Sequence, residues 1–183
     1  KIEDGHETTR LKRERGWQYW HQLFNPRQLL INGLFVKISN EMANGQKEKA
    51  IGLLGVNKIC NFSSKLSGWS SHGANEKGRD TFYNQALNTL YNYMSRTIVS
   101  LDTTWFFTIN NSCIKSKSNL NTEDARNVSE ICDIWITDPP YADAVNYHEL
   151  TEFFLAWNKV LLKRVFPEWY TDSKRVLAVK GTG

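Results

Sequence analysis

The chain has little cysteine. Three residues in 183, Cys60, Cys113 and Cys132, show no CxxC spacing. That excludes a disulfide scaffold and predicts a reducing, cytoplasmic setting. It also predicts no metal, because a zinc site would need His6, His21, His72 or His148 to cluster with cysteines far away in sequence. Long apolar runs are missing too. None approaches the ~18 residues of a membrane span, mean hydropathy is −0.51, and no membrane contact is expected. No secretory leader pattern is read at the start. Nor is there a convincing glycine-rich turn behind a strand, as a nucleotide-type cofactor requires. Gly52-Leu53-Leu54-Gly55 lies within a helical pattern and reads as a helix-packing feature. Gly181-Thr182-Gly183 follows the apolar run Val176–Val179 but has no helix behind it.

Aromatic residues are plentiful, with 7 Trp, 7 Tyr and 9 Phe, and 40% of the chain is hydrophobic. That is ample for one packed domain, or a domain with an added helical layer. The net charge of +4 permits contact with DNA without demonstrating it. Basic residues gather at Lys12-Arg13-Arg15, at Lys115 and Lys117, and at Lys163-Arg164; each group alone reads as ordinary solvated charge.

Periodicity predicts several helices. Asn25-Pro26 is a helix start, with Leu29, Leu30, Leu34, Ile38 and Met42 recurring at helical spacing up to Asn44-Gly45. A second helix runs from about Gln46 to Ile59 or a little beyond. Residues 63–79 read as a long polar loop anchored by Trp69. Asp80 caps a third helix carrying Tyr83, Leu87, Leu90, Met94 and Ile98. Trp105–Ile109 is a strand or an irregular apolar segment, and a helical turn is expected near Glu123–Arg126. A last helix, from about Tyr147 to Val165, places Leu150, Phe153, Phe154, Trp157 and Leu161 on one face and ends at Pro167. Core packing accounts for that stripe. Before it, Ile131–Thr137 reads as a buried strand, with Cys132 a small core residue and Asp133 satisfied by backbone at the strand edge.

Directly after this run stands Asp138-Pro139-Pro140-Tyr141. The carboxylate can accept hydrogen bonds from an amine. The prolines stiffen the backbone and leave its carbonyls free to point outward. The tyrosine presents a flat face for stacking. An unstacked nucleobase with an exocyclic amine has these same needs. The plainer account is a turn with an Asp cap and a Pro-Pro stop.

The tetrapeptide in this setting resembles the catalytic motif of amino-group DNA methyltransferases. Together with Trp135–Thr137, Asp143, Tyr147, Glu149-Leu150, Phe153-Phe154 and Trp157, it is similar to a subgroup of large prokaryotic adenine-specific DNA methylases that carry an uncharacterised N-terminal domain. Phe24–Leu29 and Thr81–Leu87 fit the same subgroup. Ala142 stands where a second tyrosine is frequent, and Asn84 where an arginine is usual. The resemblance implies that Asp138 and the Pro139 carbonyl grip the target amine, that Tyr141 stacks on the base and that Pro140 shapes the turn. Asp143 and Tyr147 are further candidates for the base pocket. It implies S-adenosylmethionine as cofactor, DNA as partner, and a role in restriction or phage defence with further subunits of such a system. In the resembling proteins the glycine-rich cofactor motif lies upstream, so this chain is expected to be an internal piece of a larger enzyme.

The fold expected is α/β: a helix-rich partial class I, Rossmann-like domain with a helical insertion. Residues 1–24 would form a charged N-terminal segment, 25–110 the helical layer, and 111–183 the catalytic strand, motif loop and following helix. Asn146 or Asp143 would cap that helix. Arg27 and Gln28 take a structural role at a helix start. His148 has little to do in methyl transfer, since the amine proton can leave to water. Two other readings share the motif: a non-catalytic nucleic-acid-binding or interaction module, and a methyltransferase for RNA or a protein amide.

Overall fold

In the structure, a computed structural model, residues 1–70, 77–78, 80–82, 117–119, 121, 127–138 and 146–167 are described. Among the described residues four α-helices dominate: α1 (His6–Arg15), α2 (Pro26–Met42), α3 (Gln46–Phe62) and α4 (Tyr147–Val165). A 3-10 turn, Trp20–Leu23, joins α1 to α2. A two-residue antiparallel ladder pairs β1 (Trp69–Ser70) with β2 (Lys77–Gly78).

Local chemistry explains the helix ends. Asn25 and Gln28 form a reciprocal capping box: the Asn25 side chain accepts from the Gln28 N–H at 2.8 Å, and Gln28 Oε1 accepts from the Asn25 N–H at 2.9 Å. Pro26 occupies the first helical position, where no N–H is needed. Helix α1 closes on Gly16, whose φ of 68° gives the left-handed turn that lets its N–H reach the Lys12 carbonyl at 2.9 Å. Helix α4 ends two residues before Pro167, and its Val165 carbonyl accepts from Gln46 Nε2 at 2.7 Å. Gly52 lets α3 approach α2, since a Cβ there would meet the Ser39 Cβ at 3.1 Å.

Helix α3 packs against both α2 and α4. The core gathers Val56 and Ile59 of α3, Leu23 and Phe24 of the turn, Phe153 of α4, and Ile2 from the chain start. Phe153 is the hub of the rings: Phe24 stacks on it at 5.8 Å, and Trp20 and Phe82 meet it edge-on at 5.7 and 5.1 Å. Such rings add directional contact to the burial of large apolar area.

The charged opening is anchored by two buried acids of α4. Glu149 accepts from the N–H groups of Glu7 and Thr8 at 3.1 and 2.8 Å, and Glu152 accepts from the Glu3 N–H at 3.1 Å. Glu149 thus supplies the carboxylate cap that Gly5, at the N-cap of α1, lacks.

The α/β, Rossmann-like expectation is overturned. Beyond the two-residue ladder, no strand occurs among the described residues. The run expected as the catalytic strand is exposed throughout: Ile131, Ile134 and Ile136 are 102%, 77% and 92% exposed, and Cys132 and Asp133 are also at the surface. A β-rich composition favours a strand only where a neighbour takes up its N–H and C=O groups. No such neighbour pairs with 131–137 among the described residues. A second correction concerns α2. Of its expected apolar stripe, Leu29 is partly buried against the core, while Leu30, Leu34, Ile38 and Met42 face outward; Gln28 and Asn32 are fully buried. The third helix, Trp105–Ile109 and the turn near 123–126 lie outside the described residues, except for Asp80, Thr81 and Phe82.

Candidate functional site

Asp138 ends the exposed stretch and is itself exposed. Pro139, Pro140, Tyr141 and Asp143 lie outside the described residues. Tyr147 is the first residue of α4 and is 36% exposed. Asn146 holds the N-cap position through its backbone carbonyl, which accepts from the Glu149 N–H at 2.9 Å; its side chain makes no capping bond. Arg27 is exposed, whereas Gln28 is buried in the capping box.

Aromatic side chains from three of the stretches that carried the resemblance meet in one cluster, while Trp135–Asp138 stand exposed. Phe24 touches Phe153 and Trp157, at 5.8 and 5.1 Å between ring centroids, and Phe82 touches Phe153 and Phe154, at 5.1 and 6.4 Å. Thr81 is fully buried, and its hydroxyl donates to the Asn61 carbonyl at 2.6 Å and pairs with Ser64 Oγ at 3.0 Å. This polar network ties Thr81 back to the end of α3 and to the start of the 63–79 segment.

Beside the cluster is a cavity of about 280 Å³ between α1, the 3-10 turn and the start of α4. Trp20, Leu23, Leu66 and Phe82 form apolar walls, and Thr8 and Glu149 bring polar groups. Thr8 Oγ1 and Trp20 Nε1 are buried without a hydrogen-bond partner among the described residues. Such groups are uncommon, because each costs about 1–3 kcal/mol when left unmade. Glu149 Oε2 takes the two good backbone bonds. Oε1 has only a 3.4 Å contact with the Glu7 N–H and lies 3.7 Å from His148 Nε2. No local pattern marks this cavity, since its lining comes from segments as far apart as Thr8, Trp20, Leu66, Phe82 and Glu149. The one hint is that Phe82 and Glu149 fall within the stretches that carry the resemblance.

Other chemistry is sparse. Burial pushes the Cys60 thiol well above its ordinary value, so it stays neutral and is a poor nucleophile. Among the described residues no three His, Cys, Asp or Glu side chains are placed to hold a metal ion, and no helix is long and apolar enough to cross a membrane. Among the described residues no glycine-rich turn follows a strand. No protein family, no curated protein and no solved structure matches this chain.

Proposed function

We propose that the chain carries the target-gripping segment of an amino-group DNA methyltransferase acting on the N6 amine of a flipped adenine. The observation that carries this reading is the run Asp138-Pro139-Pro140-Tyr141. Asp138 and the Pro139 carbonyl accept hydrogen bonds from the amine. They favour a tetrahedral nitrogen, whose lone pair is then less delocalised into the ring and more nucleophilic. Tyr141 stacks on the base, and Tyr147 and Asp143 flank it. S-adenosylmethionine, held by residues other than the described ones, supplies an electrophilic methyl group. The exposure of the Asp138 carboxylate supports the reading, as does the meeting of aromatic side chains from three of the resembling stretches in one cluster.

In the complete protein, Asp138→Ala should reduce methyl incorporation into double-stranded DNA by about 100-fold or more. Full activity in that variant sinks the assignment. The lack of a cofactor turn among the described residues favours one alternative, a nucleic-acid-binding module without catalysis. DNA binding with no methyl transfer by the complete wild-type protein would establish that alternative instead.

A further inference from the structure

We propose that the outward row of α2 is a self-association surface, on which a second copy of this chain lies antiparallel about Leu34. This goes beyond the methyltransferase reading and uses none of its site residues. Leu30, Leu34, Ile38 and Met42 follow one another at intervals of four and are 62%, 46%, 48% and 72% exposed. Single exposed apolar side chains are ordinary. Four in one row make a ridge about 18 Å long, at about 1.5 Å per residue. A ridge at this spacing is what one helix presents to the groove of another. Helix α3 does not take it up: α3 approaches α2 at Ser39, roughly 140° round the helix from Leu34.

Charge names the occupant. Arg27 and Glu41 stand seven residues before and after Leu34, and both are exposed. Seven residues are close to two full turns, so both fall on the ridge side. Leu30 and Ile38 stand four residues to either side of Leu34. The row is therefore symmetric in position and opposite in charge about its centre. Laid antiparallel on a second copy, with the two Leu34 side chains at a two-fold axis, Leu30 meets Ile38 of the second copy. Arg27 meets Glu41 of the second copy, and the pair occurs twice. An isologous two-fold interface requires this self-complementarity. Within one copy Glu41 pairs with Lys37 at a loose 3.8 Å, a surface contact that contributes little. A parallel arrangement would set Arg27 on Arg27, and a partner of one charge throughout would be repelled at one end of the row.

One helix per side makes a small interface of the transient class, with a dissociation constant on the order of 10–100 µM. The test is sedimentation equilibrium of the 183-residue chain, from about 1 µM, below that constant, to about 300 µM, above it. The expected result is a reversible monomer–dimer equilibrium with no larger species, because a two-fold contact closes on itself. Leu34→Lys puts two like charges at the axis and should weaken the dimer more than about tenfold. Arg27→Glu should weaken it about threefold to tenfold, and adding Glu41→Arg should restore it, because the exchanged charges again meet their opposites. That double substitution places an acid at the start of α2 and a base at its end, which favours the helix, so lost pairing would not be lost folding; circular dichroism checks this. Unfolding followed at about 1 µM chain reads the monomer alone. A chain that stays monomeric over the whole range overturns the inference. So does a Leu34→Lys variant that dimerises like the wild type, or a double variant that pairs no better than Arg27→Glu. If a monomeric chain floats with anionic phospholipid vesicles, the row belongs to a lipid surface instead.

Discussion

Helices α2 and α4 are similar in length, 17 and 19 residues, and both carry apolar side chains at helical spacing. They differ in how deeply the apolar side chains are buried and in what stands beside them. On α4 the aromatic stripe turns inward: Phe153 is fully buried, and Phe154 and Trp157 pack against the core beside it. The buried acids of that helix, Glu149 and Glu152, find backbone N–H groups at the start of the chain. On α2, Leu29, Ile31, Phe35 and Val36 pack against the core only partly buried, the fully buried positions are Gln28 and Asn32, and Leu30, Leu34 and Ile38 stand outside. Gln28 is employed in the capping box, but Asn32 has neither amide atom bonded among the described residues. Hydrophobic spacing identifies a helix in both cases. Which face goes inward depends on which neighbours exist to meet it, and that is a property of the assembled fold.

Three substitutions would sharpen or break this contrast. The largest effect is expected for Glu149→Ala, which leaves the amides of Glu7 and Thr8 without their acceptor. It should cost about 2–3 kcal/mol in urea unfolding, with faster hydrogen exchange at those two amides. A loss below about 0.5 kcal/mol would mean that water replaces the cap and that the buried acids of α4 are not what anchors α1. Next is Asn32→Leu, which removes a buried, unpaired amide at similar size. It should stabilise the chain by about 1 kcal/mol; a clear loss would reveal a partner for Asn32 and remove the distinction between the two helices. The smallest effect is expected for Leu34→Gln on the outward stripe, within about 0.5 kcal/mol of wild type. A loss near that of a core leucine, about 2–5 kcal/mol, would show that this face is covered after all.

Much of the helical framework was legible. The Asn25-Pro26 start, the break near Gly45 and the span of α4 all follow from caps and stops within a few residues of the helix ends. The cap of α1 was not legible, because its acceptor lies 141 residues away on α4. The run Ile131–Thr137 misled for the complementary reason: its residues suit a strand, but strand formation is decided by a partner that composition cannot supply. At the candidate site, Asp138 could be named from its neighbours in sequence, whereas the cavity is assembled from segments far apart in the chain with no shared motif.

The cap on α1 sets an order of assembly. A ten-residue helix is too short to hold itself in water, and the carboxylate that completes it arrives with Glu149. During synthesis α1 leaves the ribosome before α4 and waits for more than a hundred further residues before its free amides are met. Its stability belongs to the finished protein, and a chain halted before α4 would carry the α1 segment as unstructured, charged polypeptide open to proteolysis.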